Sequence, residues 1–174
     1  LALTRFGDDS QRRAIGAWRS WHDFFPWEDW RQGRPDIIES TILPGLEEWV
    51  AEAPRDVSSS GLSRRQRVEL LFGARGFYEE NVLERYELLY EAGMVAEALR
   101  DGRAAAARRG ALDPLGAPMR HDHRRILATA MGRLRAKMKY RPVVFELMAP
   151  AFTLTELQRT VEAIAGRHLH KQNF

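Results

Sequence analysis

The chain has no cysteine among its 174 residues. That absence excludes disulfides, cysteine-ligated zinc and thiol nucleophiles, and it suits a reducing cytoplasm. Long apolar runs are missing too: none approaches the roughly 18 residues that a membrane-spanning helix needs. No basic-then-apolar leader opens the sequence, whose first residue is Leu1 rather than Met. There is no glycine-rich phosphate loop, no Ser-His-Asp set and no lysine-nucleophile pattern. Strand signals are scarce, and LALTRF at residues 1–6 is the one good candidate near the front. So short a strand makes sense as the end of a sheet lying upstream. We therefore expect the chain to be a segment of a longer protein.

What is present is a globular composition with unevenly placed charge. Hydrophobic residues make up 44% and charged residues 29%, unlike a disordered chain. Residues 118–174 hold eleven Lys and Arg against four Asp and Glu, a surplus of +7. Residues 1–117 hold sixteen bases against twenty acids, which makes them −4 and leaves the whole chain at +3. A basic end on an acidic body points to a polyanionic partner such as nucleic acid. A solvated, arginine-rich helix face would have the same composition.

Most of the periodicity is helical. Ser10 is placed to cap a helix through Ala14, Ala17, Trp18, Trp21 and Phe25, closed by Pro26. A second begins at Pro35, with Ile38, Ile42, Leu46, Trp49 and Val50 on one stripe. Residues 52–62 form an exposed connection. Ser63 and Gln66 then make a capping box before VELLF. A longer helix is expected from about Glu79 to Ala92, burying Val82, Leu83, Tyr86, Leu89 and Tyr90, with Gly93 as a left-handed exit and VAEALRD as a short helix beyond. Residues 101–118 suit a linker whose alanine-rich centre has helical potential. Asp122 can cap the next helix, with Ile126, Leu127, Ala130, Met131, Leu134 and Met138 inward and the bases on the other faces. RPVVFELMAP suits either a strand or one or two helical turns.

The ending carries the chemistry. Thr153 and Glu156 form a capping box, and Leu154, Leu157, Val161 and Ile164 supply the inward stripe of the helix it starts. Gly166 permits a left-handed exit, Arg167-His168-Leu169 form a three-residue turn, and His170-Lys171-Gln172-Asn173 would open the next helix with polar side chains. A helix-turn-helix needs this arrangement, since the first residues of its second helix reach base edges in the major groove. Asn and Gln pair with adenine, and Lys reaches guanine or phosphate. Many helix pairs joined through glycine bind no DNA, so the pattern alone leaves both options open.

A run of spaced motifs narrows the choice. These are Asp122-His123 with Ile126-Leu127, Arg133-Leu134-Arg135, Tyr140/Pro142/Phe145-Glu146-Leu147, Phe152-Thr153-Leu154 with Glu156-Leu157-Gln158, and Lys171/Asn173-Phe174. In that order they resemble the C-terminal winged helix of the Nudix-related transcriptional regulators of NAD metabolism. Upstream, LALTR, FPWEDWRQGRP and VLERYELLYEAGMVAEA are similar to the bacterial branch of that family. The resemblance implies a mainly α chain: a helical end of a Nudix-like α/β sensor domain with a linker over 1–112, then a winged helix-turn-helix over 113–174. Family members continue past KQNF through the rest of the recognition helix and a β-wing, so the winged domain is expected to be incomplete here.

Other constellations are weaker. A Nudix box holds divalent metal with glutamates along one helix. The nearest approach, YELLYEAGM at 86–94, puts Tyr86 where an arginine belongs and Tyr90 where a ligand glutamate belongs, so we read it as coincidence. Glu80, Glu84, Glu87 and Glu91 share a face that suits solvent better than a metal or a basic partner. His121 and His123 do not converge on a helix, so capping or surface roles suit them better than ligation. The aromatics Trp18, Trp21, Phe24, Phe25, Trp27 and Trp30 suit a small core better than an adenine platform or a dimer interface.

The expected function is a cytoplasmic, non-enzymatic regulator of NAD-related genes, homodimeric on operator DNA and responsive to an effector such as ADP-ribose. The alternative is a Nudix hydrolase of nucleoside diphosphate derivatives with an accessory winged helix. Expected DNA contacts are Thr153, Thr155, His170, Lys171, Gln172 and Asn173, with Arg167 on phosphate; no catalytic, cofactor or metal residue is assigned.

Overall fold

The structure is a computed structural model, and it describes residues 18–53, 58, 61–73, 77–109 and 115–169. The LALTRF strand, the Ser10 cap and His170 to Phe174 lie outside these residues. Seven α-helices are formed among them: α1 (Leu43–Glu52), α2 (Arg64–Phe72), α3 (Val82–Glu91), α4 (Ala96–Arg100), α5 (Ala104–Arg109), α6 (His123–Met138) and α7 (Leu154–Ala165). No β-strand occurs among the described residues, only two isolated bridges, Trp30–Arg167 and Arg31–Gly33. The mainly α expectation is met there; an α/β sheet is not part of what they contain.

Local signals formed the elements they encode. Ser63 and Gln66 close both halves of their capping box at the start of α2. Gly93 takes φ 74° after α3, and α4 follows it. Before α1, residues Ile38–Ile42 run as a π-helix. Pro44 explains this: it has no N–H for the Ser40 carbonyl, and its ring would crowd that carbonyl in an α-helix. The widened turn still buries Ile38, Ile42, Leu46, Trp49 and Val50, so the expected stripe holds. Each of the four aliphatic side chains among these contributes roughly 1.5–3 kcal/mol on full burial.

Three expectations need correction. The helix expected to run to Pro26 is, from Trp18 onward, irregular chain followed by 3-10 turns at Trp21–Asp23 and Pro26–Glu28. Ser20, in an extended conformation, accepts from the His22 N–H and starts the first of them. The stretch expected as a linker is packed: α5 forms within it, Ala106 and Leu115 are buried, and the Ala117 N–H donates to the Asp23 carbonyl (2.8 Å). RPVVFELMAP, for which the sequence leaves a strand and helical turns both open, forms a 3-10 segment at Val143–Leu147, so its helical option is the one met.

The third correction concerns α6. Its buried face is Arg124, Ala128, Met131, Gly132 and Arg135, while Ile126 is 47% exposed. Asp122 stands at the N-cap position without capping; its carboxylate instead takes Arg125 Nη1 at 2.5 Å. The face turned because acids and aromatic rings wait inside. Arg124 Nη1 donates to Glu97 (3.0 Å), Nη2 donates to the Leu115 carbonyl (2.5 Å), and the guanidinium lies 5.4–5.5 Å from the ring centres of Phe25, Trp27 and Tyr86. A weakly hydrated planar cation is well suited to such a cage.

The aromatic cluster is thereby accounted for as core. Phe25 and Trp27 are fully buried and meet edge to face at 5.9 Å, and Trp18 alone of the six is largely exposed. The glutamate face of α3 is not simply solvated: Glu80 pairs with Lys139, Glu87 with Arg125 and Glu91 with Arg67. Packing between α3 and α6 thus combines an apolar seam with charge pairs, and it joins the two halves of the chain.

Candidate nucleic-acid interface

Helix α7 is built from both ends. At its start Glu156 N–H donates to Thr153 Oγ1 (3.2 Å), and Thr153 N–H donates to Glu156 Oε2 (2.7 Å). The Thr153 backbone N–H and then its hydroxyl hold the Glu156 carboxyl below the ordinary carboxylate range. A helix leaves its first N–H groups without intrahelical partners. With Glu156 satisfied by Thr153, Leu154 and Thr155 supply the outward N–H donors of the first turn. Thr153, Leu154 and Thr155 are all exposed. Leu154, expected inward, is corrected to the surface at 64% exposure; Leu157 is buried, and Val161 and Ile164 are half-buried.

The other end of α7 is fastened to the body. Trp21 Nε1 donates to the Ala163 carbonyl (3.1 Å), Arg135 Nε to the Ile164 carbonyl (2.8 Å), and Trp30 N–H to the Gly166 carbonyl (2.6 Å). Three C-terminal acceptors, which a helix cannot satisfy internally, are thus taken by side chains and backbone from elsewhere. Gly166 takes φ 73°, and a Cβ there would overlap the Glu28 carbonyl and the Arg135 guanidinium. Glycine is required twice, for conformation and for space.

Behind this end lies Glu28, fully buried. It accepts from Arg85 Nε (2.5 Å) and Nη2 (2.9 Å) and from Arg135 Nη1 (2.6 Å). Burial pulls the Arg135 pKa down from its ordinary value, and the charge of Glu28 opposes that. The turn after α7 is tied by Glu162, which accepts from the Leu169 N–H (2.9 Å) and from Gln158 Nε2 (2.9 Å) and pairs with His168 Nδ1 (2.9 Å). The Leu169 N–H holds the Glu162 carboxyl below its usual range despite burial.

Of the expected contacts, Thr153 and Thr155 share the exposed first turn of α7, and Arg167 stands at the opposite end. Arg167 is exposed, yet its guanidinium pairs with Glu79, so a phosphate would compete with that carboxylate. His170, Lys171, Gln172 and Asn173 lie outside the described residues. Sequence reasoning did not single out Glu28, Trp21, Trp30, Arg135 or Glu162 as the residues that position α7. One local hint existed: an acid set within FFPWEDW, among rings too large to leave in water.

The charge asymmetry also changes meaning. Arg124, Arg125, Arg135, Lys139 and Arg167 pair respectively with Glu97, Glu87, Glu28, Glu80 and Glu79 of the body. Five of the eleven bases therefore hold the two halves together. No helix among the described residues is long and apolar enough to cross a membrane.

Comparison with known proteins finds two similarities. Residues 144–174 match the family described as the NrtR DNA-binding winged helix domain. Over 53 residues the chain is 45% identical to a protein of Acinetobacter baylyi (strain ATCC 33305 / BD413 / ADP1) named ADPR responsive transcriptional repressor NtrR. That alignment takes in 30% of this chain and 21% of the relative, so the shared part spans about a fifth of the relative's length. Both similarities are to proteins of transcriptional regulation, and the family match takes in all of α7 and the turn after it.

Proposed function

We propose that this chain is part of a DNA-binding transcriptional regulator, in which α7 and the turn after Gly166 are the first helix and turn of a helix-turn-helix. The observation that carries this reading is the coincidence of two independent features. The stretch matching a DNA-binding winged helix is also the stretch where a doubly capped helix ends in a left-handed glycine held rigidly against the body. A recognition helix can read bases only from a fixed base, and the Trp21, Trp30 and Arg135 bonds fasten the end of α7 from which the turn leaves.

The finer reading is a cytoplasmic regulator of NAD-related genes whose effector is an NAD-derived nucleotide such as ADP-ribose. The name of the Acinetobacter relative supports this effector class. On this reading a Nudix-like sensor accompanies the DNA-binding part, and the protein regulates rather than catalyses. Two copies sit on half-sites about 34–36 Å apart, so a ligand that shifts their separation weakens both contacts together. Thr153 and Thr155 hold phosphate at the N-terminus of α7, with Arg167 as a further phosphate contact. His170, Lys171, Gln172 and Asn173 are the further DNA contacts on this reading, with Asn and Gln suited to adenine and Lys to guanine or phosphate.

Fluorescence anisotropy against the DNA upstream of the gene, at two salt concentrations and with or without ADP-ribose, tests the proposal. Tight, salt-sensitive binding that ADP-ribose alters is the expected outcome. Binding no stronger than to random duplex, together with hydrolysis of a nucleoside diphosphate derivative, would replace it with the enzyme reading.

A further inference from the structure

Once the bases that face the body are set aside, the remaining positive charge is not scattered. From His123 to Phe145 the sequence contains no acid at all. Within that stretch Arg124, Arg125, Arg135 and Lys139 pair with body carboxylates, while Arg133, Lys137 and Arg141 are exposed and have no ion pair among the described residues. These three recur every fourth residue. The Arg141 N–H donates to the Lys137 carbonyl at 2.9 Å, so the helical path of α6 continues far enough to set Arg141 one turn above Lys137. Steps of four residues rise about 6 Å each, which spreads the three charges along about 12 Å. At 3.6 residues per turn Arg133 and Lys137 lie across the helix from the buried Arg124, Ala128 and Arg135, and Arg141 follows just past the end of α6. Tyr140 stands beside them at 85% exposure.

We infer that Arg133, Lys137 and Arg141, with the Tyr140 hydroxyl, form a phosphate-contact surface for duplex DNA on α6, additional to the first turn of α7. The inference rests on the DNA-binding reading and extends it to a helix to which the sequence reading assigns no DNA contact. A row of cations without interspersed acids matches a polymer that carries one negative charge per about 1.7 Å of axis. Helix α6 also packs against α7 and the Val143–Leu147 turn, so the row belongs to the same body as the proposed reading helix. Contacts of this kind fix orientation and carry no sequence information.

The test is an anisotropy titration of the full chain against fluorescent random-sequence duplex over a range of salt, comparing the parent with R133Q/K137Q/R141Q and with R133K/K137R/R141K. The parent should lose affinity linearly in log salt. The neutral triple variant should lower that slope by roughly 2–3, since each phosphate contact accounts for about 0.9, and the charge-conserving variant should keep it. All three sites are exposed, so thermal melting of the variants should match the parent. A neutral variant that keeps the parent slope overturns the inference alone. A parent without salt-dependent DNA binding sinks both this inference and the function it rests on. If instead the neutral variant loses affinity only for polyglutamate, the row serves an acidic protein partner and not DNA.

Discussion

Arg135 Nη1 lies 2.6 Å from Glu28 Oε2, across 107 residues of sequence, with both side chains fully buried. Glu28 simultaneously holds Arg85, and Arg135 simultaneously caps the Ile164 carbonyl of α7. A single buried carboxylate thus connects α3, α6 and the end of the proposed DNA-reading unit. Removing it leaves two guanidinium groups desolvated without their counter-charge, and breaking such a pair costs about 3–5 kcal/mol. Glu28→Gln should therefore lower unfolding free energy by about 3 kcal/mol in urea titrations. A variant as stable as the parent would show that the hub contributes little.

Gly166→Ala tests the exit from α7. The left-handed conformation alone costs an L-residue about 1–2 kcal/mol, and the overlap with the Glu28 carbonyl adds to that. We expect a fall in stability of about 2–4 kcal/mol, measured by thermal or chemical melting. Faster hydrogen exchange in the last turn of α7 should accompany it.

Thr153→Ala removes the hydroxyl that accepts from the Glu156 N–H. Loss of such a cap costs about 1 kcal/mol, and Thr153→Ser should restore it. The change should appear as faster hydrogen exchange in the first turn of α7 while the last turn stays protected by Trp21, Arg135 and Trp30. Uniform exchange along the helix would show that the two ends are not fastened independently.

Acid should destabilise the fold through His22. Burial, the largest influence, lowers its pKa from 6.5 to about 4, and its Nε2 has no hydrogen-bond partner. Because the folded state disfavours the charged imidazole, the unfolded chain binds the proton first as pH falls. Stability from this group is therefore complete above about pH 6.5 and is lost progressively down to about pH 4. The loss should be on the order of 2 kcal/mol, given about 1.4 kcal/mol per pKa unit and partial relaxation. Urea titrations at pH 7 and pH 4.5 check the slope, and His22→Gln should flatten it.

What was legible in the sequence was what neighbouring residues decide among themselves. The Ser63–Gln66 and Thr153–Glu156 boxes and the left-handed Gly93 and Gly166 depend on contacts within a few positions of the chain, and the stripe from Ile38 to Val50 on its helical spacing. Such interactions form wherever the segment is placed, so the order of residues is enough to predict them. The helix and turn of the candidate interface were readable for this reason, and so was the core role of Phe25 and Trp27.

The orientation of α6 was decided elsewhere. Periodicity assigns Ile126 and Leu134 inward and the arginines outward, because a charge normally loses more by leaving water than a methyl group gains. That balance reverses when a partner charge is already buried at the right place. Glu28 and Glu97 are held there by the Trp27 corner and by α4, at separations of 107 and 27 residues from the arginines they receive. No local pattern carries such distances, and the same long-range pairs turn five of eleven C-terminal bases into internal ties. Local order thus determined most of the helices and the Ser63 and Thr153 caps. Tertiary structure determined which charges face the solvent, because only the assembled interior brings each buried acid to its arginine.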